Sequence, residues 1–347
     1  MDLRRGHGPR RGRRRRDREG LGRALIRAAV VALAALALVG PAAARPAAGG
    51  AVAAPLWSPN GLKIAWAQEN GSNHDIWIAN PDGSSARVLA RAVPGLYQFA
   101  AMPDGSFLFD SNLTLLHVGA GGHPQVVARG VTFSLDRKAD LVAYQTAADC
   151  PTCHAPIEVR SLTSGKTWRI APADRNIYPA LSPDGRSVAF TRYLPSAGGG
   201  YERDGGIWIA DAHGGNPVQR TKTGYCPQWS PDGNRLAYTD LSGIHVVPSR
   251  GASHGTVLLP NNVLPGCTVL WAPNGRKLAA LSAYGRLRVV DVDSGKSVPV
   301  GPPRGFDFAW APDGSRLLVT GGASGKACPA LWSVRADGSG LRRLRGC

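Results

Sequence analysis

Three short runs in this chain have the residue types and spacing of chemical sites. Cys150-Pro151-Thr152-Cys153-His154 fits the C-x-x-C-H pattern through which haem is attached. Gly251-Ala252-Ser253-His254-Gly255 fits the G-x-S-x-G turn that presents a nucleophilic serine. Asp291, Asp293 and Gly295 reproduce part of a calcium-loop spacing. Each chemistry also demands surroundings. Haem wants an apolar pocket and a second axial ligand, whereas Cys150 and Cys153 flank a proline in a polar run. A nucleophile elbow needs a helix behind it and acid and histidine partners later in the chain, and the calcium run lacks its remaining ligands. These runs therefore read as a small cysteine loop and two polar turns. No catalytic residue, metal or cofactor is expected, with haem or zinc at Cys150–His154 as the lesser alternatives.

The N-terminus fixes the compartment in which such cysteines would work. Arg4 to Arg18 form a basic tract, Ala28–Gly40 is apolar, Pro41 breaks the run, and Ala42-Ala43-Ala44 supplies small residues for a signal peptidase. The apolar run is shorter than a membrane span. Residues 1–44 are thus expected to be a cleaved signal, with an uncleaved membrane anchor as the alternative, and residues 45–50 a linker. The product would be periplasmic, envelope-associated or extracellular, with no membrane contact beyond residues 1–44. The formal charge of +17 is concentrated there: residues 1–27 hold 11 of the 41 basic and 3 of the 24 acidic residues. What remains is scattered Arg without a run, so a nucleic-acid partner is not expected.

The elements that must position these residues show themselves by repetition. With 44 Gly and 27 Pro in 347 residues, the chain consists of many short elements joined by turns. Trp57-Ser58-Pro59-Asn60-Gly61 returns as Met102-Pro103-Asp104-Gly105, Ser182-Pro183-Asp184-Gly185, Trp229-Ser230-Pro231-Asp232-Gly233, Trp271-Ala272-Pro273-Asn274-Gly275 and Trp310-Ala311-Pro312-Asp313-Gly314. A decayed copy is placed at Phe133-Ser134-Leu135-Asp136. Pro59 to Pro312 gives a mean period of about 42 residues, the length of a four-stranded propeller blade. Pro presets φ, Asp or Asn tolerates the second turn position, and Gly accepts the positive φ that closes the hairpin. An apolar strand follows each turn, as in Val188–Arg192 or Leu317–Thr320, then a third strand such as Ile207-Trp208-Ile209 and a fourth after a further Gly turn. The expected fold is all-β: a seven-bladed β-propeller over 51–347, with four antiparallel strands per blade and six blades as the alternative. The blades are placed at about 51–92, 93–129, 130–172, 173–222, 223–261, 262–302 and 303–347.

The recurring W-S-P-D-G turns resemble the WD40-like (PD40) repeat of the TolB family of bacterial envelope propellers, and similar repeats form the propeller of prolyl-oligopeptidase-type peptidases. The resemblance covers roughly residues 51–347 and implies the propeller fold and an exported location. The α/β domain of TolB and the hydrolase domain of the peptidases have no counterpart in these residues.

In such a blade, with strands A to D running outward, the A–B and C–D turns share one face, and the B–C loops and D-to-A crossings share the other. All six cysteines map to the second face. An even count in an exported chain favours disulfides, and topology favours Cys150–Cys153, Cys226–Cys267 and Cys328–Cys347, the last clasping a terminal edge strand. The tryptophans, recurring at strand positions, read as packing between blades. The same rim holds the candidate binding residues: Tyr97, Tyr178 and Tyr225, placed just before their A strands, His74 and Asp75, and a long loop with Tyr193, Tyr201, Glu202, Arg203 and Asp204. Loops on a rigid scaffold carry binding residues, and Tyr and Arg are enriched at interfaces. The expected function is a monomeric, non-enzymatic scaffold for a protein or peptide. The alternative is a hydrolase or lyase working at the channel mouth.

Overall fold

The computed structural model describes residues 50–96, 98–119, 123–146, 156–171, 175–194, 203–251, 255–260, 267–282, 284–322 and 329–346. The proposed signal, Tyr97, Tyr201, Glu202 and four of the cysteines, Cys150, Cys153, Cys328 and Cys347, lie outside the described residues. Among the described residues there is no helix, and none long and apolar enough to cross a membrane. The chain is all-β.

Its strands form antiparallel sheets that follow the sequence repeats. The first repeat is Val52–Trp57, Ile64–Asn70, Asn73–Ala79 and Arg87–Pro94, paired in that order. Repeat 4 is Arg175–Leu181, Ser187–Leu194, Arg203–Asp211 and Val218–Gln219. Repeat 5 is Tyr225–Trp229, Arg235–Asp240, Gly243–Pro248 and Thr256–Leu258. Repeats 6 and 7 are built likewise, from Val269 to Val300 and from Arg304 to Arg345. Repeats 2 and 3 depart from this plan. They share one seven-stranded sheet, because Pro124–Leu135 runs unbroken as the last strand of one and the first of the other. The expected boundary at residues 129 and 130 therefore falls inside a strand. Gly130 permits this passage: a Cβ there would stand 2.7 Å from the Gln145 carbonyl oxygen and from the Tyr144 ring.

The decayed turn of repeat 3 also sits two residues later than its sequence suggested. Leu135 pairs with Val142 as Leu181 pairs with Val188, so the turn is Asp136-Arg137-Lys138-Ala139. Asp136 does the work of the missing serine by accepting from the Leu141 amide at 2.9 Å, and Ala139 occupies the glycine position at φ +55°. Arg137 stands where the other turns have proline.

Apolar B and C strands supply the core, as in the cluster of Leu181, Val188, Phe190, Ile157 and Ala210 between repeats 3 and 4. The repeated tryptophans stitch neighbouring repeats together: the indole N–H of Trp229 donates to the Ala180 carbonyl, that of Trp271 to Gln228 and that of Trp310 to Leu270. The turn glycines stack on the preceding turn's proline, Gly233 on Pro183, Gly275 on Pro231 and Gly314 on Pro273. The first repeat meets the last in the same manner, with Gly61 against Pro312. There the Ala54 amide donates to Asp307 Oδ2 at 3.1 Å.

Candidate functional site

The A strands are not smooth. Those of repeats 1, 3, 4 and 5 carry a register shift three residues before their last residue, with Ala54, Thr132, Tyr178 and Cys226 in the left-handed region. A bulge of this kind re-aims the local backbone. The amide of Cys226, turned out of its ladder, donates to the buried Thr191 hydroxyl of the neighbouring repeat at 3.1 Å. Gln98 and Asp307, at the matching position, donate to Asp110 and Thr320. Polar residues of the B strands, Thr191, Asp110 and Thr320, are thus consumed in holding the A strands.

Beyond them lies the B–C rim. Between repeats 4 and 5 the structure brings together Tyr193, Tyr225 and Asp204. The two rings lie 6.1 Å apart and tilted, and the Asp204 carboxylate accepts the amides of Gly206 at 2.8 Å and Gly224 at 2.9 Å. Burial first, then the Asp204 charge, push the Tyr225 phenol above its ordinary pKa, so it stays protonated. The Cys226–Cys267 disulfide joins repeats 5 and 6 beside this cluster, Cα atoms 5.0 Å apart. The two cysteines are offset by one position, Cys226 lying three residues before Trp229 and Cys267 four before Trp271.

Tyr178 lies within its A strand, at the bulge, rather than before it. Arg203 begins a strand paired with Leu194. His74 and Asp75 belong to a separate part of the rim, in repeat 1. There the buried Asp75 carboxylate accepts from Asn70 Nδ2 and the Ala92 amide, with Arg91 at 3.6 Å.

Sequence reading missed several neighbours. Arg192 lies over the Trp208 ring at 4.2 Å and donates from Nε to Asn176 Oδ1 at 3.0 Å. The Asp240 carboxylate accepts from Thr223, Ser242 and His245, and His245 stacks flat on Tyr238, centroids 4.8 Å apart. Burial and then the Asp240 charge push the Tyr238 phenol up to about 12. Burial would raise Asp240 itself, but the Ser242 and His245 hydrogen bonds outweigh it and hold the carboxyl below the usual range. These acids are occupied. Around them the rim exposes apolar tips: Leu241 is 85% exposed, Tyr284 83% and Phe306 54%. The segments that carry Tyr284 and Phe306 meet, the Gly305 amide donating to the Gly285 carbonyl at 2.7 Å. Lys222, Arg286 and Arg304 are exposed near these tips, and their side chains have no partner among the described residues.

On the opposite face a cavity of about 490 Å³ opens between the A–B turns of repeats 4 and 5. The calcium-like run on this face is a turn, with Asp291 accepting from the Ser294 amide and hydroxyl. Among the described residues no three His, Cys, Asp or Glu side chains cluster as metal ligands would.

A disulfide-bearing, all-β protein of propeller type is the class these observations define. No protein-family model matches the chain, and no curated protein is similar to it. Solved structures are. An oligogalacturonate lyase from Vibrio parahaemolyticus overlays with a TM-score of 0.61 at 14% identity, covering 82% of this chain and 89% of that one. A prolyl endopeptidase overlays at 0.60 with 13% identity, covering 92% of this chain and 53% of that one. TolB from Acinetobacter baumannii gives 0.47 at 15% identity, over 81% and 78% of the two chains, too loose an overlay to argue from. At such identities the likeness is one of fold alone.

Proposed function

We propose that the chain is an exported, closed seven-bladed propeller that docks a protein or peptide partner through its B–C rim without catalysing a reaction. Seven repeats support the blade count, the shared strand of repeats 2 and 3 being the outer edge of one blade continued into the next. The contact of the first repeat with the last supports closure, and the disulfide suits an oxidising compartment. One observation carries the functional reading: the exposed Leu241, Tyr284 and Phe306 tips stand near the cations Lys222, Arg286 and Arg304, whose side chains have no partner among the described residues. Aromatic and aliphatic anchors with a charged rim are the anatomy of a binding surface. The nearby Asp204 and Asp240 carboxylates, each engaged at both oxygens by internal hydrogen bonds, are poorly placed to act as general bases.

A photo-crosslinker at position 284 in the intact producing cell should capture a defined polypeptide that one at Leu62, on the other face, does not. The Tyr284→Ser/Phe306→Ser variant should lose that partner while keeping its melting temperature. Equal capture from both faces would refute rim docking, and turnover by the purified protein alone would favour an enzyme at the channel mouth. The export part of the reading is checked separately: the mature protein should begin near Arg45 and be recovered outside the cytoplasm.

A further inference from the structure

The cavity between the turns of repeats 4 and 5 is the slot that the next pair of repeats fills. Between repeats 5 and 6, Arg235 lies over the Trp271 ring at 5.0 Å, donates to the Gly275 carbonyl at 2.7 Å and reaches Asp293 at 3.8 Å. The strand registers fix the equivalents one repeat earlier: Ser187 for Arg235, Trp229 for Trp271 and Arg250 for Asp293. The long cation has become a small hydroxyl and its anion has become a cation. The slot is left unfilled, Trp229 has no cation or ring on its face among the described residues, and Arg250 has no partner there.

What lines the space is complementary to one kind of molecule. Arg250 and Arg137, the residue that replaces proline in the decayed turn, both line it without side-chain partners among the described residues. Asp184 and Asp232 line it too, and the Ser182 and Ser230 hydroxyls beside them hold their carboxyls below the usual range. Both are therefore anions: Oδ1 of each is engaged by its turn serine, while Asp232 Oδ2 accepts a single bond from Asn234 Nδ2 at 3.2 Å and Asp184 Oδ2 faces Arg186 Nε at 3.9 Å, so each second oxygen keeps a lone pair to accept a hydroxyl. Guanidiniums bind carboxylates, carboxylates accept from hydroxyls, and an indole face takes a ring. The volume falls within the range of small-ligand sites.

We propose that this cavity binds a small cyclic acid carrying adjacent hydroxyls, its carboxylate on Arg137 and Arg250, its hydroxyls donating to Asp184 and Asp232, and its ring against Trp229. A sugar acid and a hydroxylated aromatic acid share this chemistry. Calorimetric titration of the purified protein with glucuronate and with 3,4-dihydroxybenzoate separates the two sources. Glucose, which lacks the charge, and inorganic phosphate, which lacks the ring, serve as controls. One of the two acids should bind at least about tenfold more tightly than either control, and Arg250→Ala should weaken it by about tenfold or more. The Ser187→Arg/Arg250→Asp variant recreates the Arg235–Asp293 pair, so it should abolish binding while the melting temperature holds or rises. If neither acid binds, if glucose or phosphate binds as well, or if Arg250→Ala or a folded double variant binds like the parent, the proposal is overturned.

Discussion

Thr191 has neither charge nor exposure, yet it shows how the repeats are held. Its hydroxyl, fully buried, is the acceptor for the Cys226 amide that the bulge has turned out of its own strand. Thr191→Val keeps the shape but strands that amide, and a buried unsatisfied donor costs about 1–3 kcal/mol. A chemical-denaturation midpoint should fall accordingly, whereas Thr163→Val on an exposed turn should change nothing measurable. The turn carboxylates make a second residue-scale statement. Asp104, Asp184 and Asp232 are each held below the ordinary 3.8, with a serine hydroxyl as the first cause. The folded chain thus binds these protons less tightly than the unfolded one. Their contribution is complete above the unfolded value and is lost as the pH falls through the lowered native values. Melting temperature should therefore be insensitive to these groups near neutrality and drop below about pH 4. The serine-to-alanine changes at Ser106, Ser182 and Ser230 should flatten that drop.

At the scale of elements, turn chemistry made the fold legible. Pro and Gly dictate dihedral angles whatever surrounds them, so six hairpins could be placed from six copies of one motif. Where those residues are missing the placement slipped. Leu135-Asp136 mimicked Pro-Asp, and nothing local revealed that Asp136 stands for serine and Arg137 for proline. Ala139 now carries the left-handed conformation that glycine carries elsewhere, at a cost of roughly 1–2 kcal/mol for an L-residue. Ala139→Gly should therefore stabilise the protein by about 0.5–1 kcal/mol, while Gly233→Ala in the regular turn of repeat 5 should destabilise it. The rim aromatics Tyr193 and Tyr225 and the Cys226–Cys267 pairing were also legible, because they follow from which strands share a face. The cavity was not. It arises from a side chain that is short, Ser187, and short residues attract notice only when each repeat is laid in register on the next. The disulfide lends itself to a direct measurement: its 41-residue separation predicts that Cys226→Ser with Cys267→Ser loses about 2–4 kcal/mol.

For the whole molecule, the seam between first and last repeats is the exceptional place. Trp229, Trp271 and Trp310 each give their indole N–H to the preceding repeat, but the Trp57 nitrogen is buried with no partner among the described residues. The same tryptophan does the same packing with one bond fewer. Trp229→Phe should then cost about 1 kcal/mol more than Trp57→Phe, since only the former loses a hydrogen bond while the latter sheds an unsatisfied donor. Equal costs at the two sites would mean that the seam is stitched as firmly as the junctions made by Trp229, Trp271 and Trp310.

That seam also sets a timetable. The Ala54 amide waits for Asp307, 253 residues further along the chain, so repeat 1 cannot be seated until repeat 7 has been made. At ribosomal speeds of roughly 5–20 residues per second, that delay is on the order of ten seconds or more. Throughout it, the apolar surface of Trp57, Trp66 and Trp77 has no final neighbour to cover it. For a cytoplasmic enzyme such a wait is an aggregation hazard. Under the export proposed above it would be an asset, because a chain whose first and last repeats must meet before it locks stays threadable until the far side of the membrane.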